Sequence, residues 1–233
     1  MIEIPEVTLP ALGNLELVRS RFQACPSLPL GQDWLSFPEP EFESGLVTIG
    51  RDRQNVLIFA ELQDSWIHNW ETEHNAHAYL HGDTFEIFLR NQERDDYWEL
   101  HVTPQNVIFQ AHFPKEQSVL RSERGPYNVI DFLVDERKFV SNTWVGDGVW
   151  NVLARVPLAL LGLPVGESGS LLSAHFARYD YPKGRSGPVL SSTARHSGPP
   201  NFHDQNGWSC LSVGRRVPLS PKQDAPLTGA YGC

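Results

Sequence analysis

The segment GDTFEIFLRNQERDDYWELHVTP, residues 82–104, contains two stretches in which apolar side chains alternate with other types. Alternation with a period of two is typical of half-buried β-strands, so the segment predicts strands over 84–90 and 97–103, joined by a charged turn. One face of the predicted hairpin carries apolar side chains, namely Phe85, Ile87, Leu89, Trp98, Leu100 and Val102. The other face combines acids, a histidine and aromatic rings, namely Thr84, Glu86, Phe88, Tyr97, Glu99 and His101.

The two predicted strands bring polar groups together on the face opposite the apolar one. A symmetric hairpin places Glu86 opposite His101 and diagonal to Glu99, within the distance over which cross-strand side chains interact. Two carboxylates and an imidazole at this spacing form one polar cluster. We therefore expect the functional site to lie over Glu86.

The composition is that of an acidic globular protein. The chain has 233 residues, 40% of them hydrophobic, and all-β chains of this length commonly form one domain with one core. A formal charge of −9 and an isoelectric point near 5.4 argue against nucleic-acid binding, because nucleic-acid-binding proteins normally carry a basic surface. The three cysteines lack metal-type spacing and predict neither a zinc site nor a disulfide framework.

Hydropathy bears on the location of the protein. No apolar run reaches the roughly 18 residues that a transmembrane helix needs, and the first residues, MIEIPEVTLP, lack the basic and apolar regions of a signal peptide. The sequence as given predicts a soluble cytoplasmic protein without membrane partners, or a secreted one if a signal segment has been removed.

Further stretches predict additional strands along the chain. A hairpin is predicted over 45–51 and 55–62, with strands at 15–23, 106–113, 129–134, 139–145, 149–156, 171–179, 189–193 and 208–213. In the strand at 106–113 we expect Val107, Phe109 and Ala111 to point inward. Helix signals at 157–162, PLALLG, predict one short turn, whereas 24–40 and 114–128 are predicted connections. The polar loop at 63–81 holds two tryptophans and four histidines and is long enough to be functional.

These elements predict an all-β protein, a single-domain antiparallel β-sandwich of jelly-roll type. Residues 1–14 contain two prolines and a Gly-Asn pair and are predicted to form an N-terminal arm. Residues 15–213 are predicted to form the sandwich. Residues 214–233 contain three prolines and little apolar pattern and are predicted to form a C-terminal tail.

Five phrases between residues 82 and 211 carry a resemblance to known domains that extends over most of the chain, from about residue 35 to 213. They are GDTFEIFLR at 82–90, YWELHVTP at 97–104, RVPLALLG at 155–162, HFARYD at 175–180 and LSSTARHSGPPNFHDQNGWSCL at 190–211. In order and spacing, these phrases resemble the family 9 carbohydrate-binding modules and the related DOMON-like domains. The resemblance implies a β-sandwich that binds a saccharide in a slot lined by aromatic and polar side chains. It also implies that bound calcium, where present, is structural.

The chain departs from the sugar-binding members of that family at the aromatic walls. Those members hold the sugar between two tryptophans, and the matching positions here are Leu80 and Phe202. The resemblance matches the family glutamate to Glu86, and it matches a basic residue of some members to Glu99. The resemblance therefore implies the fold more strongly than it implies the ligand.

Sugar recognition needs flat apolar faces and planar hydrogen-bonding side chains. The predicted ligand-binding residues offer both and are Trp70, Glu86, Glu99, His101, His175, Arg178, Phe202 and His203. The resemblance matches His175 to a polar position of a later strand, and Trp70, or Trp66 in its place, offers an aromatic face from the loop. In the alternative hypothesis, Glu86, His101 and Arg178 satisfy one another's hydrogen bonds without a ligand.

Binding of a saccharide or sugar-derived molecule without catalysis is the predicted function, and no catalytic, metal-binding or cofactor-binding residue is assigned. The alternative is an enzyme in which carboxylates and a histidine perform acid–base chemistry on a sugar or uronate. The loop histidines offer metal ligands without a zinc motif. Oxygen ligands for calcium, without EF-hand spacing, are offered by Asp64, Asp83, Asp95 and Asp96.

Overall fold

The computed structural model describes residues 1–9, 14–164 and 169–213 of the chain. Within these residues two β-sheets contain twelve strands, numbered in chain order: β1 Ile2–Ile4, β2 Ser27–Leu30, β3 Gly45–Arg51, β4 Asn55–Gln63, β5 Thr84–Asn91, β6 Tyr97–Val102, β7 Ile108–Phe113, β8 Val140–Gly146, β9 Val149–Pro157, β10 Ser170–Asp180, β11 Val189–Ser192 and β12 Ser209–Val213. The first sheet has the order β1-β12-β10-β5-β6-β7, with β11 also paired to β10. The second sheet has the order β2-β3-β4-β9-β8.

The apolar faces of the two sheets pack against each other and form the core. Buried side chains of β5, β6 and β10 from the first sheet share one cluster with those of β3, β4 and β9 from the second. The fold is therefore the predicted all-β sandwich. Strands β5 and β6 pair Glu86 with His101 and Phe88 with Glu99, which confirms the symmetric hairpin.

A further layer covers much of the outer face of the first sheet. Phe88 and Phe113 of the sheet share an apolar cluster with Leu120 of helix α2 (Gln117–Arg124) and with Phe202 and Trp208 from near the C-terminal end of the described chain. The central strands are consequently buried on both sides. The candidate site lies where this cover leaves an opening.

Residues 15–23, predicted as a strand, instead form helix α1 (Leu15–Phe22). Asn14 caps the helix, because its side chain accepts a hydrogen bond of 3.2 Å from the backbone N–H of Leu17. Val18 and Phe22, four residues apart, are buried against β4 and β9 of the second sheet. This spacing is helical, so the prediction of a strand was wrong.

Other segments also differ from the sequence prediction. Part of the connection at 114–128 forms α2, which ends at Gly125 with a φ of 78°. Residues 129–132, predicted as strand, form a 3₁₀ turn in which Asn128 and Asp131 make reciprocal capping hydrogen bonds. Residues 27–30, predicted as loop, form β2 and pair with β3. The short turn predicted at 157–162 is confirmed as the 3₁₀ helix Leu158–Leu161.

The N-terminal residues join the first sheet. Strand β1 pairs in parallel with β12 and Ile4 is buried, so this part of the predicted arm is integrated into the sandwich. The predicted tail at 214–233 lies outside the described residues. None of the helices in the described part of the chain has the length and apolar character needed to cross a membrane.

Candidate functional site

A pocket of about 260 Å³ opens on the outer face of the first sheet, above the hairpin of β5 and β6. Its aromatic lining residues are Tyr79, Phe109, Tyr179 and Phe202. Its polar lining residues are His77, Glu86, Glu99, Asn201 and His203. The pocket therefore combines apolar rings with hydrogen-bonding groups, as small-molecule sites usually do.

Two carboxylates, Glu86 and Glu99, form the floor of the pocket with His101 packed between them, and all three residues are buried. His101 Nε2 lies 2.8 Å from Glu99 Oε1 and 3.2 Å from Glu86 Oε1. The His101 ring stacks on Phe109, with 4.4 Å between the ring centroids. One oxygen of each carboxylate and the histidine nitrogen lie within 4.8 Å of one another, a donor set that a divalent cation also accepts.

Burial and mutual charge shift the pKa values of the floor in different directions. Burial raises the pKa of Glu86 to about 7, with His101 opposing the shift and Glu99 adding to it. For Glu99, burial is outweighed by His203 and by the hydrogen bond from His101, so its pKa lies below the usual value. Burial alone lowers the pKa of His101, but the two carboxylates outweigh it and the pKa is raised. Near neutral pH the floor therefore holds an ionised Glu99 and a partly ionised Glu86, and the raised pKa of His101 favours its protonated form.

Two tyrosines form one wall of the pocket. The rings of Tyr79 and Tyr179 lie 5.3 Å apart between centroids, and Phe202 meets Tyr179 edge to face at 5.9 Å. Tyr79 belongs to the 3₁₀ turn Ala78–Leu80, whose backbone is held from two sides. Asn69 Nδ2 donates to the carbonyl of Ala78 at 2.9 Å, and the Tyr181 hydroxyl donates to the carbonyl of Tyr79 at 2.6 Å.

Gly82, at the start of the segment quoted first, closes the loop that carries Tyr79. It has a φ of 146°, and a Cβ there would lie 2.4 Å from the carbonyl oxygen of His68 and 2.6 Å from Cα of Asn69. Backbone atoms cannot move aside as a flexible side chain can. The tight approach of residues 68–69 to the start of β5 therefore requires glycine.

The structure places five of the eight predicted ligand-binding residues together. Glu86, Glu99, Phe202 and His203 line the pocket, and His101 lies between the two carboxylates. His203 is within 3.0 Å of the Tyr97 hydroxyl through its Nδ1, and burial lowers its pKa.

His175 lies behind the pocket rather than in its lining. Its Nδ1 donates to the carbonyl of Phe202 at 3.0 Å, and its ring stacks on Phe88 at 5.4 Å between centroids. Burial lowers its pKa to about 3, so the ring is neutral. His175 thus holds the loop that carries Phe202.

The other two predicted residues lie elsewhere. Trp70 is 74% exposed on the 63–81 loop, outside the pocket lining. Arg178 is fully buried on the opposite face of β10 from His175 and Tyr179, because side chains alternate along a strand. The period of two therefore keeps Arg178 away from the pocket.

Arg178 belongs to a separate buried ion network. Its Nη2 lies 3.0 Å from Asp64 Oδ2 and 3.3 Å from Asp180 Oδ2, and its Nη1 donates to the carbonyl of Gln63 at 2.6 Å. Oxygens of Asp64, Asp83 and Asp180 lie within 4.8 Å of one another. Both carboxylate oxygens of Asp83 accept backbone N–H groups, and the guanidinium supplies a cation. These residues do not fit a calcium site, which needs six to eight free oxygen ligands.

Several lining residues were missed from the sequence. Phe109 was expected to point into the core, but it lies on the outer face, where β7 pairs it with His101. Tyr179 shares its face with His175, so alternation along β10 was a usable signal for it. Tyr79 and His77 lie in the polar loop that was predicted to be functional, yet no local pattern distinguishes them from its other residues.

Solved structures share this architecture. A Bacteroides uniformis protein for which carbohydrate binding is proposed superposes with a TM-score of 0.69 at 14% identity, over 91% of this chain and 98% of that one. A family 9 carbohydrate-binding module from Caldicellulosiruptor kristjanssonii, in complex with cellotriose, superposes with a TM-score of 0.61 at 12% identity, over 97% and 99% of the two chains. The fold is that of the family 9 carbohydrate-binding modules.

A second structure with the family 9 fold, from the same organism and in complex with glucose, has a TM-score of 0.61 at 13% identity, over 94% of this chain and 99% of the other. No family model and no curated protein sequence matches the chain. The similarity to the family 9 modules is therefore one of fold, and the ligand has to be argued from the pocket itself.

Proposed function

We propose that this protein binds a saccharide, without catalysis, in the pocket above Glu86 and Glu99. The observation that supports this most is the combination of aromatic walls and a carboxylate floor in a pocket that opens to solvent. Aromatic faces pack against the C–H groups of a sugar ring, and carboxylates accept hydrogen bonds from its hydroxyls.

The dimensions of the pocket suit one sugar unit. Its volume of about 260 Å³ is near the lower limit of small-molecule pockets, which is roughly 300 Å³. The rings of Tyr79 and Tyr179 lie against each other, and Phe202 meets Tyr179 edge to face. A single ring can thus touch aromatic surface while its hydroxyls reach Glu86.

The structures that share the fold support the same class of ligand. Two of them hold cellotriose or glucose. At the positions matched to the family tryptophans, Phe202 lines the pocket, whereas Leu80 is 60% exposed and lies outside its lining. The adjacent Tyr79 takes over the wall, so the pocket keeps an aromatic pair of different composition.

Isothermal titration with glucose, cellobiose and cellotriose tests the proposal. We expect saturable heat with at least one sugar, and Phe202→Ala should weaken binding by about 1–3 kcal/mol because a stacking ring is lost. Trp70→Ala is the matched control, since this aromatic is exposed outside the pocket, and it should bind as the wild type does. If no mono- or oligosaccharide produced heat of binding at sugar concentrations well above millimolar, the proposal would be contradicted.

One observation favours an enzyme as the second candidate. The pKa of Glu86 is raised to about 7 while that of Glu99 is lowered, and a carboxylate pair split in this way can supply an acid and a base. Product formation from a panel of glycosides and uronates that disappears in both Glu86→Gln and Glu99→Gln would favour catalysis over simple binding.

A further inference from the structure

The pocket has an excess of negative charge. Two carboxylates, Glu86 and Glu99, belong to its lining, and no lysine or arginine is found among the described lining residues. His101 contributes at most one positive charge, and the pKa of His203 is lowered by burial. With both carboxylates ionised, the floor therefore carries a net charge of −1 or a more negative one.

The carboxylates also lack hydrogen-bond donors. In the described part of the chain, the one side-chain hydrogen bond to this pair runs from His101 Nε2 to Glu99 Oε1 at 2.8 Å, and Glu86 Oε1 lies 3.2 Å from the same nitrogen. Glu99 Oε2 is buried without a hydrogen bond, and His203 Nδ1 lies 3.9 Å from it. Buried carboxylate oxygens normally have partners, because an unsatisfied charged acceptor loses its hydration without compensation. The floor is therefore short of both donors and positive charge.

We infer that the pocket selects a sugar that carries a protonated primary amine, with the ammonium group against Glu86 and Glu99. This inference rests on the proposed saccharide binding and names the class of sugar. An ammonium group offers three N–H donors and one positive charge, whereas a hydroxyl offers one donor and no charge. An ammonium thus supplies what the floor lacks and brings its net charge close to zero. A sugar carboxylate meets repulsion at the same place, which disfavours uronates.

Isothermal titration calorimetry with four sugars that share the configuration of glucose and differ in one substituent tests the inference. The probes are glucosamine, glucose, N-acetylglucosamine and glucuronate, titrated at about pH 7, where an amine with a pKa near that of an α-amino group is still mostly protonated and Glu86, with a pKa of about 7, is about half ionised. A chelator in the buffer keeps metal ions off the floor. We expect glucosamine to bind roughly tenfold more tightly than glucose, the gain of one charged hydrogen bond. N-acetylglucosamine should show no gain, because its nitrogen is uncharged, and glucuronate should bind most weakly.

The possible outcomes distinguish a failure of the amine preference from a failure of the proposed saccharide binding. Glucose binding as well as or better than glucosamine overturns the amine preference and leaves saccharide binding intact. Absence of binding by all sugars overturns both. The variant Glu99→Gln keeps the shape of the side chain and removes its charge, so the ratio of glucosamine to glucose affinity should fall towards one, whatever the change in glucose affinity itself.

Two further variants guard against effects of folding and of overall charge. Glu73→Gln removes an exposed carboxylate of the 63–81 loop outside the pocket lining and should keep the wild-type ratio. Glu86→Gln should lower the ratio as Glu99→Gln does, so the inference can be tested even if one of them is unstable. A ratio that stays at its wild-type value in both floor variants would place the amine elsewhere and overturn the inference.

Discussion

Glu86 is expected to make the stability of the protein fall as the pH rises, and Glu86→Gln should remove this dependence. Residue Glu86 is 3% exposed, and its side chain lies in the floor of the pocket beside a second carboxylate. Ionised glutamate is costly in such a place, because water is replaced by a poorly polarisable interior and, among the described residues, the compensating charge comes from His101. Glutamine has nearly the same shape and no charge.

The magnitude follows from the shift in pKa. Glu86 has a pKa of about 7 in the folded protein, against 4.5 for an ordinary glutamate. Between these values the folded state keeps a proton that the unfolded state has released, so the free energy of unfolding falls as the pH rises from 4.5 towards 7. At about 1.4 kcal/mol for each pKa unit, the loss amounts to about 3 kcal/mol. The loss is complete at pH values above the pKa of Glu86 in the folded protein, and it is absent at pH values below the pKa of Glu86 in the unfolded chain.

Urea unfolding followed by tryptophan fluorescence at pH values from about 4.5 to 8 measures this loss. The wild type should lose about 3 kcal/mol relative to Glu86→Gln over the range. Asp83 and Asp180 also have raised pKa values, about 8 and about 7, but they titrate in both proteins and cancel in the difference. The exposed Glu73→Gln variant should follow the wild type. If the free energies of unfolding of the wild type and Glu86→Gln changed equally with pH, the raised pKa of a buried Glu86 carboxylate would be refuted.

Three other variants test the fold and the pocket. Gly82→Ala should lower the free energy of unfolding by roughly 1–3 kcal/mol, since its methyl group meets the backbone of His68; a fully stable variant would show that the loop can relax. Arg178→Ala should lower the free energy of unfolding by about 3–5 kcal/mol at neutral pH, because the buried carboxylates of Asp64 and Asp180 lose their cation. At acidic pH the carboxylates are protonated, so part of this stability should return. A loss that does not depend on pH would indicate that Arg178 acts through packing. Tyr79→Ala should weaken sugar binding by about 1–3 kcal/mol, whereas the neighbouring exposed Leu80→Ala should not, and equal effects would remove Tyr79 from the wall.

The sequence by itself determined the central hairpin and the face on which its polar groups lie. Alternation over 84–90 and 97–103 is a local property, because successive side chains of a strand point to opposite sides. A short connection between the strands then leaves little freedom of register, and the observed pairing of Glu86 with His101 follows. The same rule, applied to β10, separates Arg178 from His175, although both were predicted to bind ligand. Local alternation failed at residues 15–23, where an N-cap at Asn14 and buried positions four apart indicate a helix.

Only the tertiary structure decided which side chains close the pocket. Tyr79, Phe109, Tyr179 and Phe202 come from four segments that are distant in the chain, and their meeting depends on how the loops pack over the outer face of the first sheet. The covering residues bury Phe109 and its neighbours on the outer face of the sheet as well. Apolar side chains therefore occur on both faces, and hydrophobic character alone could not distinguish the core face from the pocket face. Burial by this cover also turns an ordinary glutamate into one with a pKa of about 7. Such a pKa shift depends on which atoms surround the carboxylate in the folded protein, so it cannot be predicted from the amino-acid sequence around Glu86.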